Sequence, residues 1–98
     1  MEILKNNNGT VFTLQVTGRL DTTTAPELEK EIQSLSEEAT ELTIDCVKLE
    51  YISSAGLRVL LSAHKNFSKK GGLTIANVND SILEIFDITG FKDILNIK

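Results

Sequence analysis

Hydrophobic positions change their period several times along the chain, and each change marks an element. In Val11–Thr17, Phe12, Leu14 and Val16 alternate with Thr13, Gln15 and Thr17. A period of two sends one face of a strand into a core and the other toward water. Leu42-Thr43-Ile44-Asp45-Cys46 alternates in the same way, with Leu42, Ile44 and Cys46 as its apolar set. From Ala25 the spacing lengthens. Ala25, Leu28, Ile32 and Leu35 recur at helical intervals, while Glu27, Glu29, Glu31, Glu37 and Glu38 form a wet side. A second helix is predicted over 54–69, with Leu57, Leu60, Leu61, His64 and Phe67 toward the core and Arg58, Ser62, Lys65 and Lys69 outside. A third places Ile82, Ile85 and Phe86 inward.

Local signals set the boundaries. Glu2–Lys5 reads as a short strand, and Asn8-Gly9 behind it is a strong hairpin signal because both residues tolerate positive φ. Thr24-Ala25-Pro26-Glu27 opens the first helix: Thr24 caps, Pro26 sits in the first turn and Glu27 completes a capping box. Val47–Ile52 reads as a connection. Gly71-Gly72 stops the second helix and Leu73–Ala76 is a strand. Asn79 caps the third helix, Gly90 ends it, and Ile94–Ile97 is the last strand. A hairpin followed by alternating helix and strand makes an α/β domain. Strands covered on both faces carry continuous apolar runs, and these alternate. The expectation is therefore a sheet with helices mainly on one face, rather than a doubly wound one.

Bulk properties narrow the function more than the fold. A chain of 98 residues supports one domain and one core. Its net charge of -4 argues against nucleic acid, which needs clustered cations, and favours a protein or small-molecule partner. Met1 is followed at once by polar Glu2, Lys5 and Asn6, and no run approaches the roughly 18 apolar residues of a membrane span. No membrane insertion and a cytoplasmic location are expected. One cysteine, Cys46, and one histidine, His64, provide neither a disulfide nor a metal site. There is no phosphate-cradling loop, dinucleotide fingerprint or HExxH motif, so no cofactor and no catalytic residue is implied. Ser-His catalysis would have to use His64, whose helical spacing with Leu57, Leu60 and Leu61 marks a packing residue.

One segment stands out. Tyr51-Ile52-Ser53-Ser54-Ala55-Gly56-Leu57-Arg58 joins a strand exit to a helix start. Ser53 is placed to cap the helix. Ser54 then falls at the first helical position with its hydroxyl free. Ala55 and Gly56 add almost no bulk, leaving the turn open to another protein surface. On the residues alone, a serine-rich cap with a glycine for close packing is the simpler account.

Three motifs bring in a family. Ile52-Ser53-Ser54-Ala55-Gly56-Leu57-Arg58-Val59-Leu60-Leu61 resembles the signature of STAS domains, in particular bacterial anti-sigma factor antagonists. Gly18-Arg19-Leu20-Asp21-Thr22-Thr23-Thr24-Ala25 and Ile85-Phe86-Asp87-Ile88-Thr89-Gly90-Phe91 are similar to two further family patterns, in the right order and spacing. The resemblance implies a single STAS domain over 1–98, with a mixed four- or five-stranded sheet packed against helices. It implies a non-enzymatic regulator of transcription that binds an anti-sigma factor serine kinase when unphosphorylated, thereby freeing a sigma factor. The resemblance also implies that phosphorylation at Ser54 would switch it off and that a phosphatase would be a further partner, resetting it. Asp21 falls on the family's acidic loop residue. With Thr22, Thr23, Ser53, Ala55, Gly56 and Arg58 it makes the expected partner-binding surface around Ser54.

The chain departs from the family pattern in two places. Ser53 replaces the usual Asp, which removes a carboxylate and makes Ser53 a competing phosphosite. Relatives usually continue into a C-terminal helix, whereas this chain stops at Lys98. The alternative role within the same family is a subunit of a lipid-transport or signalling complex without phosphorylation. An alternative from another class, a small hydrolase using Ser54, lacks an identifiable base.

Overall fold

The alternation in Val11–Thr17 organises the whole molecule. The computed structural model describes residues 1–98. The elements are β1 (Glu2–Asn8), β2 (Val11–Leu20), α1 (Ala25–Leu35), β3 (Glu41–Asp45), β4 (Leu49–Ile52), α2 (Ser54–Phe67), β5 (Gly72–Ala76), α3 (Asp80–Ile88) and β6 (Asn96–Ile97), with a 3-10 turn at Phe91–Asp93. The strands run in the order β1-β2-β3-β5-β6, and β4 pairs with the far end of β2. Only β1 is antiparallel to its neighbour.

Register explains which face is buried. Phe12 pairs with Leu42 and Leu42 with Leu73, while Leu14, Ile44 and Ile75 form the next row. All six are buried and share one core with Leu28, Ile32, Leu60, Phe67, Ile82 and Phe86 from the helices. Each such side chain contributes about 1.5–3 kcal/mol relative to exposure. The odd-numbered positions of β2 make the other face: Thr13, Thr43, Thr74 and Asn96 lie in one row, and Gln15 and Asp45 in the next. They are half-buried or exposed. Helices therefore cover one face and leave a polar one, as the alternation predicts. No polar or charged residue is fully buried.

The sheet has six strands because Val47–Ile52, expected as a connection, contains β4. Register steps by one residue between Gly18 and Arg19, so Glu50 has no partner while Arg19 meets Tyr51 and Leu20 meets Ile52. The bulge turns Glu50 and Tyr51 both outward. That broken period hides the strand from a two-residue template.

Other boundaries shift for local reasons. β1 runs on to Asn8, which pairs with Val11, so the hairpin loop is Gly9-Thr10 and not Asn8-Gly9. Gly9 alone of that pair takes positive φ, as in a two-residue hairpin with glycine first. In α2 the buried stripe is Gly56, Leu57, Val59, Leu60, Ala63 and Phe67. Leu61 and His64 are only half-buried, and Val59 and Ala63 take the inner places. Ile85 is also half-buried. Asn79 caps α3 as predicted, with its Oδ1 accepting from the Ile82 amide at 2.9 Å, and its Nδ2 donates to the Leu49 carbonyl at 3.0 Å. Gly90 follows α3 with φ of 81°.

Candidate functional site

Two chain segments leave the same end of the sheet side by side. Leu20 and Ile52 are register partners, and the next amide along, that of Ser53, donates to the Leu20 carbonyl at 2.9 Å. Asp21 follows Leu20 directly and Ser54 follows Ser53. The parallel β2–β4 pair thus brings the Asp21 loop and the Ser54 turn together, as the motifs imply.

The two serines have different jobs. Ser53 is extended, with φ -100° and ψ 175°, and its Oγ accepts from the Gly56 amide at 3.4 Å. Its carbonyl accepts from the Leu57 amide at 2.9 Å. It is the helix cap. Ser54 begins α2, is exposed, and its hydroxyl makes no hydrogen bond within the chain.

The Asp21 loop is rigid, though not by the expected capping box. Thr24 has helical backbone angles, and its side chain makes no cap bond. Its hydroxyl instead accepts from the Asp21 amide at 2.9 Å and donates to the Arg19 carbonyl at 2.7 Å. Asp21 does the capping: its Oδ1 accepts from the amides of Thr23 at 3.0 Å and Thr24 at 3.2 Å. The Thr24 amide, then the Thr23 amide, the Thr24 hydroxyl and Arg19, hold the Asp21 carboxyl below the ordinary carboxylate range against partial burial. The spacing Asp-x-x-Thr in Asp21–Thr24 is the sequence signal for this turn.

Thr22 and Thr23 are exposed beside it, as is Arg58, one turn beyond Ser54. Arg58, Ala55 and Ser62 from α2 face Thr22, Pro26 and Glu29 across an open groove of about 480 Å³. Gly56 does not belong to this surface. It is buried, and a methyl group on it would lie 2.7 Å from Leu20 Cγ and 2.8 Å from Ile52 Cγ1. Its smallness admits α2 to the sheet; it does not clear space for a partner.

His64 lies ten residues beyond Ser54 on the same helix, about 15 Å along its axis, so the two cannot form a nucleophile–base pair. Its Nδ1 is buried without a partner. No group of three His, Cys, Asp or Glu side chains is arranged to hold a metal ion. No helix is long and apolar enough to cross a membrane.

The sequence model of the STAS domain matches residues 2–98. The chain belongs to the STAS domain family. A relative from Bacillus subtilis (strain 168), an anti-sigma-B factor antagonist, is 32% identical over 99 residues, spanning 100% of this chain and 89% of that protein. An anti-sigma factor antagonist from Mycobacterium paratuberculosis superposes with a TM-score of 0.88 at 24% identity, covering 98% of this chain and 83% of the other. SpoIIAA in its unphosphorylated form gives a TM-score of 0.78 at 12% identity, covering 99% of this STAS domain and 87% of that chain. Its phosphorylated form gives 0.77 at 13%, covering 99% and 91%. At these identities the structures show the shared fold, which is the α/β arrangement expected from the alternation.

Proposed function

We propose that this STAS domain is an anti-sigma factor antagonist, binding an anti-sigma factor serine kinase while Ser54 is unmodified and releasing it once Ser54 carries phosphate. The observation that carries this reading is the contrast between the two serines: Ser53 is spent on the helix cap, and the Ser54 hydroxyl is exposed and free. The relatives named anti-sigma-B factor antagonists support the partner class. In this scheme the domain is a binding surface in the cytoplasm and catalyses nothing itself.

A phosphate on Ser54 adds about -1.5 to -2 charges. At the start of α2 it meets free amides and the positive end of the helix dipole, so the fold tolerates it. The effect falls on the partner. Docking over the Asp21 loop and the Ser54 turn would bury that charge against a protein surface, on a chain already at -4. The switch acts on the interface and leaves folding intact.

Incubation with the serine kinase and ATP, followed by peptide mass spectrometry, tests the assignment. One phosphate on Ser54 is expected, with Ser54→Asp keeping its helical circular dichroism and losing kinase binding. Phosphate on Ser53 alone, or kinase binding unchanged by Ser54→Asp, would sink it.

A further inference from the structure

On the sheet face opposite the helices, next to the Asp21 loop, two side chains form one unit. Arg19 and Tyr51 are register partners of β2 and β4, and both point away from the core, each preceding a buried residue, Leu20 or Ile52. The Arg19 guanidinium carbon lies 4.1 Å from the centroid of the Tyr51 ring. From the other side Arg19 Nε faces Asp21 Oδ2 at 3.8 Å. Asp21 is itself fixed by the Thr23 and Thr24 amides. The guanidinium is therefore held by a ring and by a clamped carboxylate.

It is nonetheless open. The Arg19 side chain is 61% exposed and Tyr51 37%. The only other ion pair in the chain joins Lys5 to Glu31, and the contact to Asp21 uses Nε, so the terminal nitrogens of Arg19 have no partner. A planar fork of that kind matches a carboxylate, and an arginine already held in place loses less freedom on capturing one. Arginine and tyrosine are also the residue types that concentrate binding energy in protein interfaces. On a chain of net charge -4, a fixed cation at this spot sets which acidic group of a partner fits, and in what register.

We infer that Arg19 and Tyr51 extend the docking face from the Ser54 turn onto the open side of the sheet, where Arg19 receives a carboxylate of the partner protein and the Tyr51 ring is covered by the apolar part beside it. This rests on the reading of Ser54 as the centre of a kinase-binding face. It also adds to it: a partner carboxylate brought to Arg19 approaches the sheet end that carries Ser54, so phosphate there repels the same acidic surface.

The test is titration of the purified anti-sigma factor serine kinase with Arg19→Ala, Tyr51→Ala, Tyr51→Phe and Ser54→Asp at low and high salt, with circular dichroism confirming each fold. Arg19→Ala and Tyr51→Ala should each weaken binding about tenfold. Tyr51→Phe, which keeps the ring, should bind as wild type, and Arg19→Ala should flatten the salt dependence. Wild-type affinity and salt dependence in Arg19→Ala, with Ser54→Asp still abolishing binding, would overturn this inference and leave the switch standing. Failure of the unmodified wild-type domain to bind would overturn both.

Discussion

Gly56 packs directly on Leu20: a methyl group in place of its hydrogen would stand 2.7 Å from Leu20 Cγ. The start of α2 thus bears on the last buried residue before Asp21, and the spacing of the two loops depends on that contact. In an open helix, Gly→Ala would gain about 1 kcal/mol. Here the obstructing atoms, Leu20 Cγ and Ile52 Cγ1, are near the base of buried side chains, so the core must shift to admit a methyl group. Overpacking costs about 1–3 kcal/mol, which at least offsets the gain. Gly56→Ala should be net destabilised by up to about 2 kcal/mol in urea unfolding, and a variant more stable than wild type would show that the core yields there.

The two serines should separate in stability as well as in modification. Ser53→Ala removes the cap of α2 and should cost about 0.5–1 kcal/mol, at the low end because the 3.4 Å bond is long. Ser54→Ala touches nothing and should stay within about 0.5 kcal/mol. Thermal unfolding of both, beside a phosphorylation assay, checks this: only Ser54→Ala should lose the phosphate, and only Ser53→Ala should lose stability.

Asn79 joins two elements. Its Oδ1 caps α3 through the Ile82 amide and its Nδ2 holds the Leu49 carbonyl on β4. Asn79→Ala removes both bonds and should cost about 2 kcal/mol in denaturant midpoint measurements, roughly twice a simple cap deletion. Asn79→Asp retains the acceptor and should recover part of the loss.

Asp45 should govern part of the acid limb of stability. Burial pushes its carboxyl up, but the Asn77 side chain at 2.9 Å, the Val47 amide at 3.1 Å and Gln15 at 3.4 Å together hold it below the usual carboxylate range. Asp21 is also lowered, chiefly by the Thr24 amide. A depressed folded-state pKa stabilises the fold above the unfolded value and loses that effect as pH falls through the folded one. Urea midpoints should therefore fall below about pH 4, and Asp45→Asn should make that fall shallower. Parallel acid limbs for wild type and Asp45→Asn would refute the assignment.

Cys46 should be silent in the folded protein. It is 1% exposed, and burial, with the Asp45 charge beside it, pushes the thiol up to about 12. Nucleophilic attack needs the thiolate, so a colorimetric thiol reagent at pH 8 should label Cys46 only as fast as the chain unfolds. Rapid labelling under native conditions would contradict the packing.

Sequence alone determined the layer architecture. Phe12, Leu14 and Val16 against Thr13, Gln15 and Thr17 specify a strand with one buried face, because side chains alternate across a pleat whatever lies beyond. Asn79, whose side-chain oxygen accepts from the amide three residues ahead, and Ser53, likewise, were legible as caps because capping is local. The motif around Ser54 and the loop at Asp21 were both readable as candidates. Tertiary structure alone decided the rest. The strand Leu49–Ile52 exists because β2 continues past Gly18 and offers it a partner across a bulge. Gly56 turned out to serve Leu20, and Arg19 to lie over Tyr51, for the same reason. Each relation joins residues more than thirty positions apart, and no local periodicity records what a distant strand will place beside a side chain.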